Sequence, residues 1–275
     1  MAETPDTLPI DTNLVELPQT TLDKFLDGRV MIEQPAKGRH RAGLDAVYLA
    51  ASLPDATTGH VMDLGTGVGS AAFCAAWRLP KITVTGVEVD AVAASLARRG
   101  LALPENQRFA ERVTIVEADL TAKGSIRHAT GLHPSQADHV IMNPPYYDSS
   151  RFRVTPQKER AAAHALDERG VEPWLRTASD LLKKGGTLSV IFRADGLQEL
   201  LDAMQGRFGA VDIVPIRPTA TSAATRVIVR AVSQSKAPLQ LLPGFTLHDE
   251  TGDAFTEQAQ KILRHGNGLD LVFRR

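Results

Sequence analysis

Val61-Met62-Asp63-Leu64-Gly65-Thr66-Gly67-Val68-Gly69, followed by the apolar stretch Ala71-Ala72-Phe73-Cys74-Ala75-Ala76-Trp77, reads as a strand, a glycine-rich turn and a helix. Glycine permits positive φ and lets a ligand approach the backbone closely. The first turn of the helix that follows exposes unpaired N–H groups. A dinucleotide fingerprint has the spacing G-x-G-x-x-G, and its turn cradles a pyrophosphate. Here the spacing is G-x-G-x-G, with Thr66 inside the turn, and Asp63 stands two positions before the first glycine. A carboxylate at that place repels a pyrophosphate and attracts an ammonium group. The pattern therefore suits a ligand with a cationic amino-acid end, such as S-adenosylmethionine.

Two further acids downstream fit that ligand. Ile82-Thr83-Val84-Thr85-Gly86-Val87-Glu88 is a second buried strand, and its terminal Glu88 can accept hydrogen bonds from both ribose hydroxyls. A third strand, Arg112-Val113-Thr114-Ile115-Val116, runs into Glu117-Ala118-Asp119, where Asp119 can accept from an adenine amino group. Asp90 is better read as the N-cap of the next helix. Acids at successive strand ends, in order, are a more specific signal than any one of them.

Farther along, Ala137-Asp138-His139-Val140-Ile141-Met142 is a short β-branched run stopped by Asn143-Pro144-Pro145-Tyr146. Two prolines cannot extend a sheet. The strand thus delivers an amide side chain and a backbone carbonyl, both acceptors, to a fixed point beside the flat face of a tyrosine. That set can hold a planar NH2 group by its two hydrogens and stack on the ring that carries it. Asn-Pro alone is equally a plain turn signal; the upstream acids favour the chemical reading.

Taken together, Asp63, Gly65, Gly67 and Gly69, then Glu88, Asp119 and Asn143-Pro144-Pro145-Tyr146, resemble the class I S-adenosylmethionine-dependent methyltransferases that modify exocyclic amino groups. The segment before the glycine turn is similar to the bacterial tRNA adenine-N6-methyltransferases that act beside the anticodon of a valine tRNA. Its matching features are Gln34-Pro35, Gly38-Arg39-His40-Arg41 and Asp45-Ala46-Val47-Tyr48-Leu49-Ala50-Ala51. The resemblance covers roughly Phe25 to Val232. It implies cofactor contacts from Asp63, Gly65, Thr66, Gly67, Gly69, Glu88, Asp119 and Asp45. It also implies a catalytic set of Asn143, Pro144, Pro145 and Tyr146.

Composition agrees without deciding anything. The chain has 275 residues, 43% hydrophobic and 23% charged, enough for one substantial core with appendages. A formal charge of -1 excludes a global basic field, so contact with RNA must come from a local patch. The single cysteine, Cys74, reads as a buried inert thiol, and the eight histidines show no zinc spacing. No metal site is expected. The acidic N-terminus lacks an apolar leader, and no long uncharged span exists, so the expected setting is the cytoplasm and not a membrane.

Residues 1–18 read as a mobile polar arm, and residues 19–275 as one methyltransferase domain. Within it, residues 19–54 form a hairpin and helix, 55–235 a Rossmann-like core and 236–275 a C-terminal extension. Asp27-Gly28 is a hairpin turn signal between residues 21–26 and 29–34. A helix is expected from Ala46 to Leu53. Another, from Val171, is expected to end in Lys183-Lys184-Gly185-Gly186, basic residues then glycine. Thr187–Phe192, Val211–Ile216 and Arg226–Val232 complete a seven-stranded α/β sheet. About eight residues separate the last two strands, too few for a helical crossover, so they should pair antiparallel in an otherwise parallel sheet.

Tyr147, Arg151 and Arg153, continuing to Lys158 and Arg160, mix aromatics and cations directly after the catalytic turn, as single-stranded RNA recognition uses them. Arg39 and Arg41 are expected on the other wall of the same cleft. The favoured reading is methylation of adenine N6 in tRNA. Protein-glutamine N5 methylation and methylation of amino groups in rRNA or DNA use the same chemistry. A dinucleotide-dependent oxidoreductase and a non-catalytic RNA-binding module are the readings from other classes. Sequence names neither the RNA position nor the oligomeric state.

Overall fold

Alternating apolar strands and helices become a layered α/β architecture in the computed structural model, which describes residues 17–37, 41–145 and 170–269. The N-terminal hairpin is present. β1 (Thr20–Phe25) pairs antiparallel with β2 (Val30–Pro35), in the register Thr20 to Pro35 through Phe25 to Val30. Asp27 and Gly28 turn the chain with φ of 57° and 80°, which these two residue types tolerate. Every residue of β2 is buried. α1 spans Leu44–Ala51 rather than Ala46–Leu53. Extended Gly43 lets its first turn begin at once, and Ser52 Oγ donates to the Leu49 carbonyl at its end.

The main sheet is built from β3 (Gly59–Leu64), β4 (Ile82–Glu88), β5 (Val113–Glu117), β6 (Ala137–Met142), β7 (Leu182–Arg193), β8 (Phe208–Arg217) and β9 (Arg226–Ser233). Their spatial order is β8-β9-β7-β6-β3-β4-β5. All neighbours are parallel except at β9, which runs antiparallel to both β7 and β8. The expected seven strands are extended by two short ones, β10 (Gln240–Leu241) and β11 (Phe245–Thr246), each parallel to β8, to make nine. Their two-residue length gives no periodicity to read.

Alternation along the strands divides the core in two. Val61, Ile141, Ile191 and Ile228 face a cluster built with α1, α2 (Ser70–Arg78), α3 (Ala91–Leu101), α4 (Gln107–Ala110) and β2. After α5 (Gly124–Ala129), the helices α6 (Glu172–Leu181) and α7 (Leu197–Met204) cover the other face, over Met62, Leu64, Val140, Met142 and Val190. A last helix, α8 (Glu257–His265), adds Ala259 and Ile262 to the first cluster. Asp90 caps α3 as expected, its Oδ1 accepting from the Val92 N–H at 2.9 Å.

A helix end differs as well. α6 stops at Leu181, and Lys183-Lys184-Gly185-Gly186 lies at the start of β7 instead of ending the helix. Leu182 is already extended and pairs with Ala137, and Lys183 Nζ is 2.6 Å from Asp138 Oδ1 on the neighbouring strand. A cross-strand ion pair therefore takes the basic residue that local preference assigns to a helix terminus. Chain order reverses at β3, between β4 and β6, which opens a crevice at the carboxyl ends of those strands.

Candidate active site

The glycine turn leaves β3 and is pinned to the next strand: the N–H groups of Gly65 and Thr66 both donate to the Val87 carbonyl at 2.9 Å. Gly65 takes φ of 72°, and a Cβ there would stand 2.6 Å from the Trp174 ring. Conformation and close approach both demand glycine. Gly67 also has positive φ, 58°, yet a Cβ on it would meet nothing within 4 Å. It faces open space, as a cradle for a ligand would. Gly69 stands at the N-cap of α2 and does not line the cavity.

Asp63 closes β3 and is only 2% exposed. Its Oδ2 accepts from Thr66 Oγ1 at 2.6 Å and from the Ala72 N–H at 3.1 Å. Burial pushes its carboxyl up to about 7, against the lowering effect of those two bonds. Glu88, at the end of β4, takes the Gly67 N–H on Oε2 and the Val89 and Asp90 N–H groups on Oε1, each at 2.8 Å. Burial again raises the carboxyl above its ordinary range, and the backbone bonds oppose it. Glu88 thus fixes the glycine turn as well as facing the cavity. Asp119, past β5, accepts from the Thr121 N–H and hydroxyl on Oδ1, both at 2.7 Å.

These groups meet in one cavity of about 650 Å³. Asp63, Gly65, Thr66, Gly67, Glu88 and Asp119 line one side of it. Asn143, Pro144 and Pro145, at the end of β6, line the same cavity, together with Arg41 and Asp45. Arg41 and Asp45 both make hydrogen bonds: Arg41 donates into the hairpin, and Asp45 Oδ2 accepts from Arg226 Nε at 3.1 Å. Tyr146, Tyr147, Arg151, Arg153 and Arg39 lie outside the described residues.

Trp174 and Arg226 are two of the lining residues that sequence reasoning missed. Trp174 carried the spacing of a core helix position, and only the tertiary fold brings its ring under Gly65. Arg226 opens β9, and because that strand is antiparallel its first residue lies at the same edge as the last residues of its parallel neighbours. Cys74 is buried, and its thiol is pushed up to about 12. Among the described residues no group of three His, Cys, Asp or Glu is placed to hold a metal ion. No helix among them is long and apolar enough to cross a membrane.

The family model described as the methyltransferase small domain matches residues 42–218, which include this entire cavity except Arg41 and Arg226. The chain belongs to this methyltransferase family. It is 32% identical over 164 residues to a tRNA1(Val) (adenine(37)-N6)-methyltransferase of Porphyromonas gingivalis, covering 58% of this chain and 61% of that one. It is 30% identical over 196 residues to a release factor glutamine methyltransferase of Chlorobaculum tepidum, covering 69% of this chain and 64% of that one. The match thus spans under two thirds of either relative's length. Among solved structures, a predicted O-methyltransferase from Agrobacterium tumefaciens is 34% identical with a TM-score of 0.70, over 82% of this chain and 97% of that one. S-adenosylmethionine is the methyl donor that membership in this methyltransferase family implies. A glycine cradle beside Asp63 and Glu88 fits its cationic amino-acid end and its ribose.

Proposed function

We propose that this methyltransferase modifies an exocyclic amino nitrogen, adenine N6 of a tRNA. One observation carries the reading: Asn143-Pro144-Pro145 ends the strand beside the glycine turn and shares one cavity with Asp63, Glu88 and Asp119. Acceptor groups for an NH2 therefore stand across a single space from the cradle that suits the donor. The relatives named as adenine-N6-methyltransferases support the choice of acceptor, and a tRNA acceptor would place the protein in the cytoplasm.

When bound, the donor supplies an electrophilic methyl group. Everything else falls to the chain. Asp63, once ionised, would hold the ammonium end and Glu88 the ribose hydroxyls, while Asp119 would accept from the adenine amino group of the cofactor. Positioning the two reactants supplies much of the acceleration for an in-line transfer. An amino nitrogen on adenine is a poor nucleophile because its lone pair is delocalised into the ring. The Asn143 side-chain oxygen and the Pro144 carbonyl, each accepting one N–H, favour a pyramidal nitrogen and stabilise the positive charge that grows on it. The base must leave the RNA stack to reach them. Tyr146 is assigned to stack on it, and Tyr147, Arg151 and Arg153 to hold the strand.

Similarity to a glutamine methyltransferase supports a second acceptor, because a side-chain amide presents an equivalent NH2. One assay separates the two. Purified protein is given tritiated S-adenosylmethionine with total tRNA in one arm and total protein in the other, both from cells lacking the gene. Label in N6-methyladenosine after nuclease digestion is the expected result. Label in methylglutamine alone would replace the first reading with the second.

A further inference from the structure

Gln34 is wholly buried in β2, a strand otherwise packed into the core, and both ends of its amide are used. Its Oε1 accepts from the Ala42 N–H at 2.9 Å, and its Nε2 donates to Asp23 Oδ2 at 2.5 Å. Arg41 donates to the same Asp23 oxygen through Nη2 at 2.5 Å. Through Nη1 it also donates to the Pro35 carbonyl at 2.6 Å and to Thr21 Oγ1 at 3.1 Å. Two side chains therefore tie the segment that enters α1 back onto the hairpin.

That segment, from Arg41 through Asp45, is a lip of the cavity that Asn143 also lines. Its own apolar hold is one small side chain, Ala42, packed against the first core cluster. A Cβ at Gly43 would meet nothing within 4 Å, and Leu44 is 43% exposed. Its far end is held by the Asp45–Arg226 pair. The hairpin in turn is fixed to the core: Arg99 on α3 pairs with Glu33 at 2.7 Å, and the Asn106 side chain bonds both the N–H and the carbonyl of Met31. The strand that carries Gln34 is thus itself fixed to buried structure.

We propose that Gln34, Asp23 and Arg41 are positioning residues that hold this lip in place for the methyl acceptor. The proposal rests on reading the cavity as an amino-methylation site. It departs from a phosphate-contact role for Arg41, since the bonds of that guanidinium run back into the hairpin. Asp45 is anchored by Arg226, so an ångström's displacement of residues 41–44 would misalign the acceptor without moving the glycine cradle of the cofactor.

The test uses Asp23→Asn and Arg41→Gln in the full chain, both at half-exposed positions, with circular dichroism checking the fold. Three quantities are read: hydrogen exchange of the peptide containing residues 42–45, cofactor affinity by calorimetry, and the salt dependence of tRNA binding, with steady-state methylation alongside. Both variants should exchange faster in that peptide. Their apparent KM for tRNA should rise by about tenfold, with S-adenosylmethionine affinity and the salt slope unchanged. The idea is overturned if exchange stays at the wild-type level in both. It is equally overturned if Arg41→Gln alone acts and lowers the salt slope by about 0.7–0.9, the signature of one lost phosphate contact. Should the wild-type protein methylate no RNA, the amino-methylation reading falls, and exchange still decides whether these residues hold the lip.

Discussion

Asp63 holds its proton to about pH 7, against an ordinary value of 3.8, because burial penalises the carboxylate. The folded chain therefore binds more protons than the unfolded one between those values, and stability falls as pH rises through that window. Asp63→Asn keeps an acceptor for Thr66 and Ala72 and removes the titration. Thermal unfolding of the cofactor-free protein should lose stability from about pH 4 to 7 in the wild type and much less in the variant. Parallel profiles would mean that Asp63 is ionised in the folded protein throughout. Glu88 carries the second prediction at this scale. Its carboxylate fixes Gly67 and faces the cavity, so Glu88→Ala should weaken cofactor binding by about 1–3 kcal/mol, as lost bonds to a charged group do. Unchanged affinity in a folded variant would remove its ribose role. The placement of the acids was legible because each ends or closely follows a strand recognisable from its apolar run. Trp174 and Arg226 were not, because a side chain that arrives from a helix on the far face or from an antiparallel strand has no local pattern.

Two glycines of one turn should respond differently to the same substitution. Gly65→Ala meets both a left-handed backbone and the Trp174 ring, so the variant should lose stability by about 1–3 kcal/mol and melt measurably lower. Gly67→Ala meets only the backbone strain, about 1 kcal/mol, and places its methyl in open space at the cavity. Calorimetry should find its loss mainly in cofactor affinity. A Gly65→Ala protein as stable as the wild type would contradict the packing described for the turn. Elements of this kind were readable from the sequence where local and tertiary demands agree: the Asp27-Gly28 turn and the Asp90 cap fall where their residues place them. They were misread where a partner elsewhere intervenes. Lys183 suits a helix terminus, but Asp138 draws it into the sheet.

At the scale of the whole molecule, the antiparallel β9 completes a sheet whose order reverses at β3, and that reversal gathers residues from Arg41 to Arg226 around one cavity. The fold was legible because seven apolar runs and their connection lengths constrain it. The hairpin's hold on the cavity lip was not, since it depends on which side chain meets which across the turn. The central claim is that Asn143 acts on the methyl acceptor. An oxygen that accepts from the reacting amino group gains strength as positive charge develops there, so its removal falls on the transition state. The direct measurement is steady-state methylation of tRNA by Asn143→Ala, with cofactor affinity and circular dichroism measured on the same preparation. Turnover should fall by at least about a hundredfold, as when a preorganised polar group is lost, with cofactor affinity nearly unchanged. A folded Asn143→Ala protein that turns over at close to the wild-type rate would contradict the amino-group mechanism.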